Sequence, residues 1–258
     1  MQLSDNTILI TGGASGIGRA LAEAFHMRGN TVIVIGRRAE ALEELRARAP
    51  GIHTRVLDIT NLRAVEAGVK RVLHDFPSLN VLVNNAGIMQ AEDLLAPRID
   101  LLVLEATIAT NLLAPMRLTA LLLAHLRRQQ RAAIVNVSSG LAFVPRADTP
   151  SYSASKAALH SYSESLRFQL RGTSVQVHEL VPPYVQTELM GERQAADPTA
   201  MPLEAFIHET LLLLESDPDI EEICVDRVLP LRNAAGSSDY RGFFRDFNER
   251  LQAARVTN

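Results

Sequence analysis

The chain has 258 residues, 47% hydrophobic and 21% charged, with a formal net charge of −3. That length suits one large α/β unit, and the composition excludes a disordered, collagen-like or coiled-coil chain. A chain of this size buries roughly 70–75% of its unfolded surface, so its core needs neither disulfide nor metal, and its slight acidity argues against a nucleic-acid partner. Cys224 is the single cysteine, which rules out an intrachain disulfide and a cysteine-based zinc site. Met1–Thr11 lacks the basic-then-apolar order of a signal peptide. The most apolar stretch, Leu101–Leu126, is interrupted by Glu105, Asn111 and Arg117, which argues against a membrane span. These features together predict a cytoplasmic protein.

In chain order, strand-like and helix-like patterns alternate. Thr7–Ile10 is a short apolar run ending in Thr-Gly-Gly, and Ile17–Met27 has helical spacing stopped by Gly29-Asn30. Thr31–Ile35 is β-branched and predicts a buried strand; Ala39–Ala49 predicts a helix ended by Pro50-Gly51. A strand over Thr54–Leu57, a helix over Leu62–Phe76 and a strand over Leu79–Val83 follow. Next come a long helix over Leu101–Arg128, a strand over Ala133–Val137, a helix over Ser151–Arg171 and a strand over Val175–Val181. Ile223–Leu229 is again apolar and strand-like. Such alternation predicts a doubly wound parallel sheet with helices on both faces, in a single α/β domain over residues 1–258. Residues 188–215 are expected to form a substrate loop or lid. Its first part is polar, Met190 and Met201 lie near the ends of that part, and a helix bearing Phe206, Ile207, Leu211 and Leu214 follows.

The segment Thr11-Gly12-Gly13-Ala14-Ser15-Gly16-Ile17-Gly18 lies between a strand and a helix. Glycines at 12, 16 and 18 allow a tight turn and close approach to a pyrophosphate, which the helix N-terminus then attracts. A ligand-free glycine turn is the alternative. The second strand ends in Gly36-Arg37-Arg38, where an acid would bind the 2′-hydroxyl of NAD. Two guanidinium groups suit a 2′-phosphate instead, so NADP is expected, against the plainer reading of a solvated basic pair. Asp58 is a candidate acceptor for the adenine amine, or else part of a helix cap. Asn84-Asn85-Ala86-Gly87 ends the next strand at the same sheet edge.

Tyr152 and Lys156 stand four residues apart, on one helix face. A neighbouring ammonium favours the phenolate, and a tyrosine so tuned can exchange a proton with an alcohol. Ser139 ends a strand and is placed to hold a substrate oxygen, or is simply a turn serine. Pro115 deprives the Asn111 carbonyl of its helical partner, leaving it to hold a water relayed to Lys156, or marking no more than a kink. The seven histidines include no pair at helical metal-ligand spacing, and no metal is expected.

Taken together, these motifs resemble the compact single-domain branch of the short-chain dehydrogenase/reductase family. The resemblance rests on the glycine motif at 11–18, Asn-Asn-Ala-Gly at 84–87, Asn111, Ser139 and Tyr-x-x-x-Lys at 152–156, and it covers about residues 5–190. It implies a Rossmann-type sheet of about seven strands and hydride transfer between a nicotinamide and an alcohol or carbonyl carbon. By the same resemblance Tyr152 is the general acid/base, Lys156 lowers its pKa and binds the nicotinamide ribose, Ser139 orients the substrate, and Asn111 holds the relay water. Cofactor contacts are implied at Gly12, Ser15, Gly16, Ile17, Gly18, Arg37, Arg38, Asp58, Ile59, Asn85, Ala86, Gly87, Tyr152, Lys156, Pro182, Val185 and Thr187.

The chain departs from the family in having Pro182-Pro183 where Pro-Gly is usual, and in Pro230-Leu231-Arg232 after the last strand-like run. The expected enzyme acts on a small carbonyl or alcohol substrate, as a homo-oligomer (dimer or tetramer) without membrane or nucleic-acid partners. A catalytically silent NADP-binding regulator is the alternative, disfavoured by the intact tyrosine–lysine pair. Leu141, Phe143, Val144, Tyr184 and Met190 suggest an apolar substrate pocket or core, and Arg146 either meets an anion or faces water.

Overall fold

The structure, a computed structural model, describes residues 1–256. Seven strands are laid down in the order β1 (Thr7–Thr11), β2 (Thr31–Gly36), β3 (His53–Val56), β4 (Val81–Asn84), β5 (Ala132–Val137), β6 (Val175–Val181) and β7 (Glu222–Cys224). They form one sheet in the order β3-β2-β1-β4-β5-β6-β7, and every pairing is parallel. Between them run helices α1 (Gly16–Met27), α2 (Ala39–Arg48), α3 (Leu62–Asp75), α4 (Leu101–Ile108), α5 (Ala114–Leu126), α6 (Pro150–Gln169), α7 (Glu192–Ala196) and α8 (Leu203–Ser216); α9 (Leu229–Ala234) and α10 (Tyr240–Val256) follow the last strand. The order reverses between β1 and β4, which opens a crevice at the carboxyl edge of the strands.

Burial on both faces explains why the central strands β1, β2 and β4 are almost continuously apolar, whereas the edge strand β3 is largely exposed. One face packs Ile8, Ile10 and Val34 with Leu21 and Phe25 of α1 and Phe206 of α8. The other packs Leu9, Ile33 and Leu82 with Val65 and Val69 of α3 and Leu118 and Leu122 of α5. The expected doubly wound α/β fold is the one observed.

Four expectations are corrected. The long helix over 101–128 is interrupted by a π turn, Ala109–Leu113, where the amide of Ala114 reaches back to the Ala109 carbonyl; Pro115 begins the next α segment. By length and composition, Leu101–Leu126 does qualify as a membrane span, contrary to the sequence reading; in the fold, its Leu118, Leu122 and Leu126 belong to the core. The strand-like run 223–229 pairs only through Cys224, because Val225 leads into a 3-10 turn (Asp226–Val228) and Pro230 then starts α9. Finally, the polar stretch after Thr187 is not without structure: it contains α7 and a bridge between Val185 and Met201.

Candidate active site

At the reversal point lies a cleft of about 790 Å³, within the range of small-molecule and cofactor sites. Its first wall is the turn from β1 into α1. Gly12 has φ +65°, and a Cβ there would stand 2.7 Å from the Ala86 Cα, so the turn lies directly on the segment after β4. The Thr11 hydroxyl accepts from the amides of Asn85 and Ala86, both at 3.0 Å, and Asn85 Nδ2 donates to the Thr11 carbonyl at 3.0 Å. Helix α1 then begins at an N-cap, Ser15, that makes no side-chain capping bond, with no acid in the first turn. Its positive end is left for an anion in the cleft.

At the far end, Arg37 and Arg38 both line the cleft and are exposed. Arg38 donates to Ser15 Oγ at 2.7 Å, which draws the end of β2 to the start of α1. A Cβ on Gly36 would meet only Leu42 and Ala14, at 3.7 Å or beyond; a side chain fits there, so the lack of an acid is not forced by packing. Burial works to raise the Asp58 pKa, but two hydrogen bonds from Thr60 and the charge of Arg37 outweigh it and hold the carboxyl below its usual value.

The reacting end comes from β5, α6 and the loop after β6. Ser139 caps a 3-10 turn, with Oγ accepting from the Leu141 amide at 3.1 Å, and lines the same part of the cleft as Tyr152. Tyr152 is 7% exposed and Lys156 3%. The Lys156 Nζ donates to the Val137 carbonyl at 2.8 Å and lies 5.6 Å from the Tyr152 ring centroid. Burial pushes the phenol up to about 12, opposed by Ser139, and pushes the ammonium down to about 8, opposed by Glu179. Desolvation is the largest influence on both groups.

Of the residues singled out from sequence, Gly12, Ser15, Gly16, Ile17, Arg37, Arg38, Asp58, Ile59, Asn85, Ala86, Gly87, Ser139, Tyr152, Lys156, Pro182, Val185 and Thr187 all line the cleft. Two do not. Gly18 lies beneath it, where a Cβ would be 2.2 Å from Asn85 Nδ2, so this glycine serves close packing. Asn111 is fully buried behind Gly87: its Oδ1 accepts from the Ile88 amide at 2.9 Å, and Nδ2 donates to the Ile88 carbonyl at 2.9 Å and to Ser155 Oγ at 3.1 Å. Its side chain thus clamps the loop after β4 to α6.

In the proposed substrate pocket, only Met190 of the five apolar candidates lines the cleft; Phe143 and Val144 are core, and Tyr184 donates to Asp197 outside it. Arg146 is occupied by Asp148. Sequence reasoning missed Met89 and Gln90 of the lining, and within the expected lid segment 188–215 it singled out neither Leu189 nor Gln194, which also line the cleft. The buried amide of Gln194 donates to the Val185 carbonyl at 2.8 Å and to Thr187 Oγ1 at 3.2 Å, and accepts from the Met190 amide. A lone glutamine in a polar stretch carries no signal for such a role.

Among the described residues, one cluster has metal-ligand spacing: His160, Glu179 and Glu222, away from the cleft. Arg232 already engages both oxygens of Glu222, and His160 Nδ1 engages Glu179 at 2.7 Å, so the three side chains already have protein partners.

A parallel sheet with a dinucleotide-sized cleft at its switch point, and a serine–tyrosine–lysine group at one end of that cleft, defines a nicotinamide-dependent oxidoreductase. The family model described as short chain dehydrogenase matches residues 6–198. The uncharacterized oxidoreductase DltE of Bacillus subtilis (strain 168) is 42% identical over 251 residues, covering 96% of this chain and 98% of that protein. A short chain dehydrogenase from Burkholderia cenocepacia J2315, solved in complex with NADP, superposes with TM-score 0.79 at 25% identity over 95% of this chain and 98% of that one. A short-chain dehydrogenase from Streptomyces avermitilis gives TM-score 0.78 at 26% identity, over 98% and 99%. The chain belongs to the short-chain dehydrogenase family and is an NAD(P)-dependent enzyme of that family.

Proposed function

We propose that the protein is an NADPH-dependent reductase of a small carbonyl compound, with Tyr152 as the acid. The observation that carries this reading is the grouping of Ser139, the buried Tyr152 and Lys156, whose Nζ lies 5.6 Å from the Tyr152 ring centroid, in the same cleft as Arg37 and Arg38. NADPH, when bound, supplies the hydride. The uncapped end of α1 takes the pyrophosphate, and Arg37 and Arg38 take a 2′-phosphate. NADP in the Burkholderia relative supports that choice.

Ser139 Oγ and the Tyr152 hydroxyl hold the carbonyl oxygen. As the carbon is reduced, the Tyr152 proton passes to that oxygen, and the positive charge of Lys156 stabilises the phenolate left behind. Lys156 also holds the nicotinamide ribose. The Asn111 carbonyl, two residues into the π turn, binds a water that restores the proton by way of Lys156. Residues 188–215 form the substrate lid, with Met89, Leu189 and Met190 giving the pocket an apolar wall. The exposed leucines of α4, Leu101, Leu102 and Leu104, fit a homo-oligomeric enzyme.

The test is NADPH oxidation against a panel of aldehydes and ketones, with products identified. An NADPH-binding protein that turns over no carbonyl compound and oxidises no alcohol refutes the enzymatic reading in favour of a silent regulator.

A further inference from the structure

We infer that Glu179 is a positioning residue of the reacting end: a buried carboxylate, shared with His160, that keeps Lys156 a cation beside Tyr152. The inference rests on the proposed role of Lys156.

Among the described residues, Glu179 is the only acid in the fully buried class and Lys156 the only lysine or arginine there. An isolated buried charge is costly, and ionised groups persist in a core only when paired. Strand register places the two close to one another in the fold. Asn84, Asn136, Glu179 and Glu222 are successive partners across β4, β5, β6 and β7, one row below the carboxyl edge. Asn84 Nδ2 donates to Asn136 Oδ1 at 2.9 Å, and Asn136 Nδ2 to Ser163 Oγ at 2.9 Å, so neutral amides fill the first two places. The third is a carboxylate. The next residue of β5, Val137, offers the carbonyl that receives Lys156.

Helix α6 supplies the other side. Tyr152, Lys156, His160 and Glu164 recur every fourth residue, so they form one stripe along the helix. His160 Nδ1 meets Glu179 Oε2 at 2.7 Å, while Glu179 Oε1, also buried, has no hydrogen-bond partner. One oxygen is thus held by the imidazole, and Lys156 stands one helical turn from that imidazole along α6. The surrounding groups do not replace it. Glu222 on β7 is taken by Arg232 of α9, Glu164 is exposed, and Arg167 pairs with Glu221. Cys224 on β7 is pushed up to about 12 by burial and is a neutral thiol. The His160 imidazole is shifted upward, first by its Glu179 hydrogen bond, against the cost of burial. Glu179 likewise opposes the desolvation of Lys156.

The sequence makes this measurable, because Lys70 and Lys156 are its only lysines. In protein carrying Lys70→Arg and 13C at the lysine ε-carbon, a single resonance reports Lys156, with no substrate or cofactor needed. Glu179→Gln keeps the shape and removes the charge. It should lower the Lys156 pKa by about one unit, a tenfold shift in the protonation equilibrium, while thermal unfolding remains cooperative. His160→Gln removes the competing partner and leaves the carboxylate in place, so it should raise that pKa; this variant decides the matter if Glu179→Gln does not fold. An unchanged Lys156 titration in Glu179→Gln, or a fall in His160→Gln, overturns the inference. NADPH binding, measured separately, tests the functional reading: a parent protein that ignores NADPH defeats that reading and leaves the lysine titration to judge Glu179 alone.

Discussion

Replacing Arg37 and Arg38 by alanine should convert a protein that prefers NADPH into one that binds both nicotinamides alike. The magnitude follows from where the side chains stand. A hydrogen bond to a charged group contributes about 1.5–3 kcal/mol, but both arginines are exposed, and salt screens such contacts. The lower end applies, about 1–1.5 kcal/mol for each, or roughly tenfold in NADPH affinity. The two are adjacent in sequence and serve one phosphate, so their effects will not simply add. The double variant should lose somewhat less than about a hundredfold. NADH has no 2′-phosphate and should be almost unaffected, apart from a small loss at Arg38, whose bond to Ser15 Oγ braces the pyrophosphate turn. Because Gly36 has room for a side chain, Gly36→Asp should add NADH affinity on top of the NADPH loss. Fluorescence titration of both cofactors at two salt concentrations measures all of this, and the NADPH preference should shrink as salt rises. Equal affinities in the parent, or equal losses for both cofactors in the double variant, would refute the assignment.

Tyr152→Phe removes the proton donor and keeps the ring, so turnover of a confirmed substrate should fall by roughly 10²–10⁴ with NADPH affinity nearly unchanged; turnover near the parent's would place the acid elsewhere. Lys156 titrates near 8 in the fold against 10.5 for the free side chain. Between those values the unfolded chain binds the extra proton, so this group's contribution to stability rises with pH across 8–10.5. Lys156→Met should therefore be the more stable protein at pH 7, by at most about 3 kcal/mol, and should lose that advantage as pH climbs through the window; thermal melts across pH decide this, and an advantage that grows with pH contradicts it. Hydrogen exchange should show residues 188–202 gaining protection with NADPH and substrate, whereas exchange already slow and unchanged on binding would mean that Gln194 and the Val185–Met201 bridge lock the segment permanently.

The fold was legible because the central strands are buried on both faces and the helices on one. Thr31–Ile35 reads as a strand from β-branching alone, and the glycine turn named the crevice. What failed were boundaries set by a neighbour. Ile223–Leu229 is largely apolar, yet only Glu222–Cys224 pairs, since β6 ends at Val181, the partner of Cys224. The π turn in 101–126 is likewise invisible to periodicity. It adds a residue to one turn and buries Asn111, whose amide then clamps Ile88.

The same distinction separates the legible half of the site from the rest. Tyr152 and Lys156 announce themselves because helical spacing brings them together within one element. Glu179 is 23 residues beyond Lys156, on a strand whose register decides its neighbours, and nothing in Val-His-Glu-Leu-Val marks one residue as facing α6. The alternation of β6 supplies that information only when the faces are known: Val175 and Val177 share a cluster with Leu166 of α6 and with Leu170 just after it, so Glu179 shares their side of the sheet, and Leu180 lies in the opposite cluster. A polar residue two places after such a pair is therefore buried under α6. It must find a partner there or destabilise the fold, and a charged one is best retained where a second buried charge needs it. By this argument the chemistry of the reacting end extends one layer beneath the cleft, into a row that tolerates neutral amides on β4 and β5 and changes to carboxylates on β6 and β7.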